Sequence, residues 1–235
     1  MHNSLPINAI YRATEGEGIL VGSPQVFVRL QGCSIGCVNC DSKDTWQFDE
    51  KFNVSLDEII GKIEDCSFSG KINRVSITGG DPLHPTNIPG IEELVDQLKA
   101  KNYWVNIEAS GMRVVDSLFN KVDFIGFDFK TPCTGVRTPF ELIEKMARQF
   151  PGKFQVKSVI ESEQDFKTVL EAKNYIDHLE LEKFDWCLTP SYNLLEEFPL
   201  ERFKKVISLN EEQGGPFRVI GQQHKWIWGP DKKQV

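Results

Sequence analysis

The chain lacks the features that would assign it to a membrane, to a nucleic acid or to the secretory route. None of its 235 residues belongs to an apolar run near the roughly 18 residues that a membrane-spanning helix needs. The formal net charge is −7 and there is no Lys/Arg run, so the basic surface of a nucleic-acid-binding protein is not expected. The first residues have neither the basic start nor the apolar run of a secretory signal. We therefore expect a soluble, cytoplasmic protein without a nucleic-acid or membrane partner.

Internal repeats, low-complexity segments and linkers are also missing from the sequence. The apolar fraction of 40% and the aromatic fraction of 11% are those of a soluble globular protein. A chain of this length can bury one sizeable core. These observations predict a single domain over residues 1–235.

Three of the six cysteines, Cys33, Cys37 and Cys40, lie within eight residues in the pattern C-x3-C-x2-C. Two glycines and the absence of a helical apolar pattern predict an irregular loop here, and such a loop can turn three sulfurs towards one point. Three thiolates can hold three irons of a cubane iron–sulfur cluster, whereas electron-transfer ferredoxins use four cysteines. The pattern therefore favours a 4Fe-4S cluster with one iron open to a ligand that is not protein.

Spacing alone leaves two other interpretations of these cysteines, a zinc site and inert thiols. Structural zinc needs four ligands, so Cys66, Cys133, Cys187 or a histidine would have to complete the site. The chain has no second C-x-x-C pair and no H-x3-H pair to do so. A disulfide framework does not fit six cysteines in the reducing compartment that we expect.

Apolar periodicity predicts about seven strands that alternate with helices. The predicted strands are 26–30, 74–78, 103–107, 123–129, 154–160, 185–189 and 217–220. Five helices are predicted. Two of them would be capped by Ser55 and by Thr138, and a third would bury the apolar stripe from Ile91 to Leu98. The other two cover residues 163–179 and 200–211. Residues 5–18 are too rich in glycine and polar residues to predict a regular element. The alternation predicts a largely parallel sheet with right-handed crossovers, either open or closed into a barrel.

Polar residues follow four of the predicted strands. The cysteine loop, Thr78-Gly79-Gly80, Glu108 and Lys130 each come directly after a strand. Because the carboxyl ends of parallel strands form one ligand-binding rim, we expect these segments to converge. The glycine pair lets the backbone approach a ligand closely, and Arg29, a charge inside an apolar strand, suits an anion.

The C-x3-C-x2-C spacing resembles the signature of the radical S-adenosylmethionine superfamily. Several motifs together are similar to one of its families, 7-carboxy-7-deazaguanine synthase. They are Glu15-Gly16-Glu17-Gly18, Val26 to Leu30, Gly32-Cys33, Cys37, Cys40-Asp41-Ser42, Thr78 to Pro82, Glu108 to Gly111, and Gln223-His224-Lys225 through Pro230. This resemblance covers about residues 7 to 230.

The resemblance implies a fold and a reaction. The fold would be α/β, a partial, modified (β/α)6-type TIM barrel. The reaction would be that of a lyase, which converts 6-carboxy-5,6,7,8-tetrahydropterin to 7-carboxy-7-deazaguanine with release of ammonia, on the route to queuosine or archaeosine in tRNA. A homodimer and a reductant protein such as flavodoxin or ferredoxin are implied as well.

Site residues are also implied by the resemblance. Cys33, Cys37 and Cys40 would hold one 4Fe-4S cluster per chain, and with Arg29 they form the predicted catalytic set. S-adenosylmethionine would contact Asn39, Cys40, Asp41, Gly80, Glu108, Asp128, Phe129 and Lys130. The pterin would contact Thr14, Glu15, Gly16, Arg29, Thr78 and Pro230, and the Ser42 hydroxyl would bind Mg²⁺. Three features depart from the family pattern: Glu15 stands where many members have glutamine, Ser42 stands where members often have threonine, and five residues follow Pro230.

Two rival functions use the same cysteines. A glycyl-radical activase of the anaerobic ribonucleotide reductase type would share the cluster, but it would need an open face for a large protein substrate. A zinc-stabilised binding module would have no catalytic activity at all. Arg29 and the glutamate–glycine segment favour the pterin enzyme.

Overall fold

The computed structural model describes residues 4–235, which form a nine-stranded sheet and seven α-helices. The strands are β1 (Ser4–Thr14), β2 (Pro24–Leu30), β3 (Asn53–Ser55), β4 (Arg74–Thr78), β5 (Trp104–Ala109), β6 (Phe124–Asp128), β7 (Phe154–Ile160), β8 (Asp185–Pro190) and β9 (Arg218–Val219). The helices are α1 (Leu56–Cys66), α2 (Ile88–Ala100), α3 (Asp116–Lys121), α4 (Phe140–Gln149), α5 (Glu163–Asp177), α6 (Leu200–Glu212) and α7 (Gln223–Trp228). No helix of this described part of the chain is long and apolar enough to span a bilayer.

The strand order is β3-β1-β2-β4-β5-β6-β7-β8-β9. β1 pairs antiparallel with both β2 and β3, whereas β2, β4 and all later strands pair in parallel. Each parallel step is a strand–helix–strand crossover, which gives six β/α units from β2 to α6 before β9. The α/β class with a largely parallel sheet is therefore as predicted.

The sequence predicted no regular element over residues 5–18, and this is wrong for residues 5–14, which belong to β1. These residues pair with β2 over seven positions and, at their start, with β3. Leu5 and Ile7 alternate with more exposed neighbours, which is the pattern of a half-buried strand. Pro6 and the glycines after Thr14 obscured that alternation in the sequence. The short elements β3, α3 and α7 were missed as well.

Of the two predicted helix caps, Ser55 caps α1 as expected, whereas Thr138 does not cap α4. Ser55 does cap α1, since its side chain accepts a hydrogen bond from the Glu58 backbone N–H at 3.3 Å. Thr138 does not cap α4; its hydroxyl accepts from the Lys130 backbone N–H at 2.9 Å, and α4 begins after Pro139. Thr138 therefore positions the segment after β6 rather than the helix.

The two faces of the sheet differ in polarity. Outward-facing residues such as Val75, Ile77 and Ile107 are fully buried beneath the helices, together with α2 residues such as Leu94. The inward positions carry polar groups instead, and neighbouring strands place them side by side: Ser76 and Asn106, Glu108 and Gly126, Gly126 and Gln155, Asp128 and Lys157. The inner face is thus built to hold a polar ligand.

A loop that crosses the inner face shows that the sheet is curved. The residues after β1 form a short 3-10 turn, Gly18–Leu20, and the Ile19 backbone N–H donates to Gln155 Oε1 at 2.8 Å. Gln155 lies on β7, and four strands separate β1 from β7 in the sheet. A flat sheet would place these two segments far apart, since neighbouring strands lie about 4.8 Å apart. The sheet therefore bends into part of a barrel with the 15–20 loop inside it.

Candidate active site

A cavity of about 660 Å³ opens where the parallel strands end. All the site residues predicted from the sequence line it: Thr14, Glu15, Gly16, Arg29, Cys33, Cys37, Asn39, Cys40, Asp41, Ser42, Thr78, Gly80, Glu108, Asp128, Phe129, Lys130 and Pro230. These residues come from the carboxyl-terminal parts of five strands, β1, β2, β4, β5 and β6, with the loops that follow them, and from Pro230 near the end of the described chain. The structure thus brings the predicted set together, while the role of each residue stays a prediction.

The cysteine loop presents three free thiols to this cavity. Cys33, Cys37 and Cys40 are each partly exposed, and of the described cysteines only these three line the cavity. A backbone hydrogen bond fixes the start of the loop: the Cys33 N–H donates to the Trp46 carbonyl at 3.2 Å. The Ser42 N–H donates to Cys40 Sγ at 3.4 Å, the kind of hydrogen bond that tunes cluster sulfurs.

This arrangement of thiols fits a cubane cluster better than a zinc ion. In residues 4–235, no three His, Cys, Asp or Glu side chains converge closely enough to hold a single ion. A zinc ion needs all its ligands on one atom, whereas a cubane cluster binds each thiolate through a different iron. The zinc interpretation therefore has no site in the described residues.

The turn after β4 lies directly against the cysteine loop. Gly79 and Gly80 both have positive φ, +75° and +46°, which is the region that favours glycine. A Cβ on Gly80 would lie 2.5 Å from the Gly32 carbonyl oxygen, which immediately precedes Cys33. Any side chain at Gly80 would therefore displace the cysteine loop.

Asp81, which follows this turn, has a structural role. Asp81 is fully buried and lies outside the cavity lining; its Oδ1 accepts from Leu83 N–H at 3.1 Å and from Ser110 Oγ at 3.3 Å. It holds a turn, and α2 begins only at Ile88.

Arg29 is oriented by its neighbours. Its guanidinium donates to Ser42 Oγ and to Tyr11 Oη, both at 3.2 Å. A Cβ on Gly79 would lie 2.1 Å from Arg29 Cγ, so the glycine turn provides the space for this side chain. Arg29 therefore offers a fixed cation beside the predicted magnesium ligand, Ser42.

Three carboxyl groups, those of Glu15, Glu17 and Glu108, form one wall of the cavity, the carboxylate wall. Glu15 accepts from Gln25 Nε2 at 2.7 Å and from the Glu17 backbone N–H at 3.1 Å. Burial raises the pKa of Glu15 to about 7, and the negative charge of Glu108 adds to this shift. Burial also raises the pKa of Glu17, but Lys157, His224 and the hydrogen bond from Gln222 together lower it overall. The wall therefore carries one carboxyl that is partly protonated at neutral pH beside carboxylates that are paired.

Two buried lysines pair with these acids. Lys157 Nζ lies 2.6 Å from Glu108 Oε2 and 3.6 Å from Glu17 Oε2. Lys130 Nζ lies 2.7 Å from Asp128 Oδ2. Although burial disfavours both ammonium groups, Asp128 raises the pKa of Lys130, and Glu108 raises that of Lys157. Both lysines are therefore charged at neutral pH.

The last described segment closes one side of the cavity. The Gln223 N–H donates to the Gly16 carbonyl at 2.9 Å, and Gln222 Nε2 donates to Glu17 Oε1 at 2.7 Å. His224 packs on the Gly16 backbone, where a Cβ would lie 2.1 Å from its Nδ1. Burial lowers the pKa of His224, so the ring is neutral at pH 7. Pro230 and the five residues after it also line the cavity.

Sequence reasoning missed several cavity residues, notably Lys157, Glu17, His224 and Tyr11. A signal did exist for Lys157, because it is a charge inside an apolar strand, as Arg29 is. Glu17 and His224 lie in motifs that carried the resemblance, but no role was assigned to them. Tyr11 belongs to the strand that was not predicted.

Comparisons with known proteins agree with this geometry. Residues 14–125 match the family model described as a 4Fe-4S single cluster domain. The fold matches the crystal structure of QueE from Escherichia coli with a TM-score of 0.69, over 94% of this chain and 95% of that one, at 21% identity. Fold, thiol loop and family model together are those of an iron–sulfur protein with a single 4Fe-4S cluster.

Relatives that match over the full length narrow the class to one family. A 7-carboxy-7-deazaguanine synthase from Pyrobaculum aerophilum is 35% identical over 221 residues, which cover 94% of this chain and 93% of the relative. One from Chlorobaculum tepidum is 32% identical over 233 residues, with coverage of 98% and 97%. The chain belongs to the 7-carboxy-7-deazaguanine synthase family, and it is a lyase that uses a 4Fe-4S cluster and S-adenosylmethionine.

Proposed function

We propose that this protein converts 6-carboxy-5,6,7,8-tetrahydropterin to 7-carboxy-7-deazaguanine with release of ammonia. The observation that carries the proposal is the single cavity in which the three-thiol loop, a fixed arginine and a wall of carboxylates meet. The cavity volume of about 660 Å³ lies within the usual range for small-molecule sites. It is large enough for a cofactor and a substrate side by side.

The charges of the cavity suit the two ends of a carboxypterin. The substrate has a carboxylate at one end and an aminopyrimidine edge with several N–H donors at the other. Arg29 provides a guanidinium for an anionic group, and Glu15 and Glu17 provide acceptors for N–H groups. The backbone of Thr14 to Gly16, together with Thr78 and Pro230, completes the predicted pterin contacts.

The cofactors would occupy the side of the cavity formed by the cysteine loop. Cys33, Cys37 and Cys40 would hold the cluster, with S-adenosylmethionine along Asn39, Asp41, Gly80 and the strand end Asp128-Phe129-Lys130. When bound, these groups supply the one-electron radical chemistry of the reaction. The protein contributes binding, orientation and exclusion of water.

Magnesium would lie at Ser42. Its hydroxyl is an oxygen ligand of the kind that a hard cation prefers, and it accepts from Arg29 Nη1. The neighbouring Asp41 carboxylate, which accepts from Ser42 Oγ at 3.0 Å, adds negative charge. The ion would neutralise a substrate oxygen as the ring contracts.

The shape of the cavity favours this reaction over the activase. A glycyl-radical activase must admit a protein loop, so it needs an open approach to its cluster. Here α7 and residues 230–235 lie along the cavity and narrow it. A small substrate fits this enclosure better than a protein.

Partners and organisation are part of the same proposal. We infer a homodimer and a reductant protein such as flavodoxin or ferredoxin. Large apolar side chains, among them Leu195, Trp226 and Ile227, are exposed near α7 and would be covered in a dimer. One sheet contains the nine described strands, which supports a single domain, and six free thiols suit the cytoplasm.

Anaerobic purification followed by an assay tests the proposal. We expect a brown protein with about four irons per chain. It should form 7-carboxy-7-deazaguanine from the carboxytetrahydropterin when reductant, S-adenosylmethionine and Mg²⁺ are present. Cys33→Ala, Cys37→Ala and Cys40→Ala should each lose iron and activity, whereas Cys66→Ala, far from the cavity, should retain both. An intact cluster that yields no such product would reject the proposed function.

A further inference from the structure

Lys157 is a lysine on the inner face of β7 to which the family resemblance assigns no role. Its side chain is only 13% exposed, and its ammonium lies 2.6 Å from Glu108 Oε2 and 3.6 Å from Glu17 Oε2. It thereby joins three segments that are distant in sequence: β7, β5 and the loop after β1. A buried ammonium is costly unless it is paired, so the lysine and the two carboxylates hold one another in place.

The absence of a side chain at Gly126 of β6 leaves the space in which Glu108 and Lys157 meet. β6 lies between β5 and β7, and Gly126 pairs with Glu108 on one side and with Gln155 on the other. A Cβ on Gly126 would lie 2.3 Å from Glu108 Oε2, so the carboxylate occupies the space that a side chain would fill. Asn106 Nδ2 donates to the other oxygen, Oε1, at 3.0 Å. Both oxygens of Glu108 are therefore held.

The position of Glu108 places it with the predicted pterin contacts. Its cation, Lys157, also pairs with Glu17 in the loop after β1. Its negative charge acts on Glu15, where it adds to the effect of burial in raising the pKa. Glu108 therefore lies on the carboxylate wall, although the resemblance assigns it to S-adenosylmethionine.

We propose that Lys157 is a positioning residue for the pterin: it holds the Glu108 carboxylate in the gap above Gly126, where Glu108 accepts hydrogen bonds from N–H groups of the substrate. The identity of the substrate rests on the proposed function. Lys157 itself acts through Glu108, which touches the ligand.

Binding to the cluster-loaded protein tests the proposal, with 6-carboxypterin as an unreactive probe. In Lys157→Met, the dissociation constant of 6-carboxypterin should rise by about 10- to 100-fold, the cost of a buried carboxylate without its cation. The dissociation constant of S-adenosylmethionine should change by less than about twofold, because Glu108 lies on the pterin side. Lys153→Met is the matched control, since Lys153 is a half-buried lysine just before β7, outside the cavity lining, and donates to the Asn120 carbonyl. A larger loss for S-adenosylmethionine than for the pterin would overturn the proposal.

Two further variants separate positioning from folding. Gly126→Ala keeps every charge but fills the space of Glu108 Oε2, so it should weaken 6-carboxypterin binding as Lys157→Met does. The double variant Lys157→Met/Glu108→Gln removes both charges, so it should recover the thermal midpoint without recovering pterin affinity. Wild-type affinity in Gly126→Ala, or restored affinity in the double variant, would show that Lys157 only stabilises the fold.

A titration provides a readout that needs no turnover. Lys157 lowers the pKa of Glu15, which burial raises to about 7. In infrared difference spectra, the band of the protonated Glu15 carboxyl can be assigned because Glu15→Gln removes it. In Lys157→Met this band should therefore disappear at a higher pH than in the wild-type protein. In Lys153→Met it should titrate as in the wild-type protein. If this shift is seen while the wild-type protein forms no 7-carboxy-7-deazaguanine, the proposed function fails and the positioning of the carboxylates stands. If product forms and the shift is absent, the role of Lys157 fails.

Discussion

Lys225 of helix α7 and Asp41 of the cysteine loop form an ion pair, with Lys225 Nζ 3.6 Å from Asp41 Oδ2. Lys225 is 7% exposed, and it also donates to the Tyr192 carbonyl at 3.0 Å. The pair ties the last described helix to the residue that follows Cys40. The cluster side of the cavity and its C-terminal wall are therefore one connected structure.

Lys225→Met should weaken that connection. It leaves Asp41 without its cation and the Tyr192 carbonyl without its donor, which should cost about 1–3 kcal/mol of unfolding free energy. The KM for the pterin should rise as well, because His224 and Pro230 lie on the same segment. Denaturant unfolding and steady-state kinetics measure the two effects. Lys204→Met, an exposed lysine on α6, is the control, and equal stability of the two variants would contradict the coupling.

Gly80→Ala should release the cysteine loop. The new Cβ would meet the Gly32 carbonyl oxygen at 2.5 Å, and φ at this position is +46°. We expect iron to fall well below about four per chain after anaerobic reconstitution, since the loop holds all three predicted ligands. Gly22→Ala is the matched control, because Gly22 has a φ of +87° but no heavy atom within 4 Å of the new Cβ. Full iron content in Gly80→Ala would show that the close approach is not needed.

Glu15→Gln should make the protein more stable at alkaline pH. The pKa of Glu15 is raised from about 4.5 in the unfolded chain to about 7 in the fold, with burial as the main cause. Its contribution to stability is therefore fully present below pH 4.5 and is lost as the pH rises through about 7, a loss of about 3 kcal/mol. Thermal unfolding from pH 5 to 8 measures this change, which the glutamine variant should lack.

Glu17→Gln provides the control of opposite sign. The fold lowers the pKa of Glu17: burial raises it, but Lys157, His224 and the hydrogen bond from Gln222 together outweigh that effect. Its contribution to stability is present above the unfolded pKa and is lost as the pH falls through the folded pKa. The Glu17 variant should therefore be less stable than wild type at pH 8, and a gain in both variants would contradict these assignments.

Arg29→Lys should weaken pterin binding while leaving the cluster intact. A lysine keeps the charge but loses the planar fork that donates to Ser42 and Tyr11 together. We expect the KM for the pterin to rise by about tenfold or more, with unchanged iron content. Arg12→Lys is the control, since Arg12 lies over the exposed Phe68 ring outside the cavity lining. A similar KM in both variants would exclude Arg29 as a substrate contact.

Features that depend on local patterns could be predicted from the amino-acid sequence alone. The C-x3-C-x2-C spacing indicated the thiol loop, because ligands within eight residues need only one turn of backbone to converge. The periodicities of strands and helices predicted β4 and β7 with their observed bounds and α2 with its buried stripe. Since parallel strands end at one rim, the convergence of Thr78, Glu108 and Lys130 on one cavity also followed from their positions at or just after the carboxyl ends of strands.

Features that depend on the curvature of the sheet and on contacts between residues distant in sequence became visible only in the folded structure. β1 becomes a strand because β2 and β3 pair with it, and its polar tail then crosses the inner face to Gln155. Gln222 donates to Glu17, although the two residues are 205 positions apart in sequence. Lys157 contacts Glu108 across β6, where Gly126 has no side chain to fill the space between them. No local pattern encodes these distances, since each depends on how far the whole sheet bends.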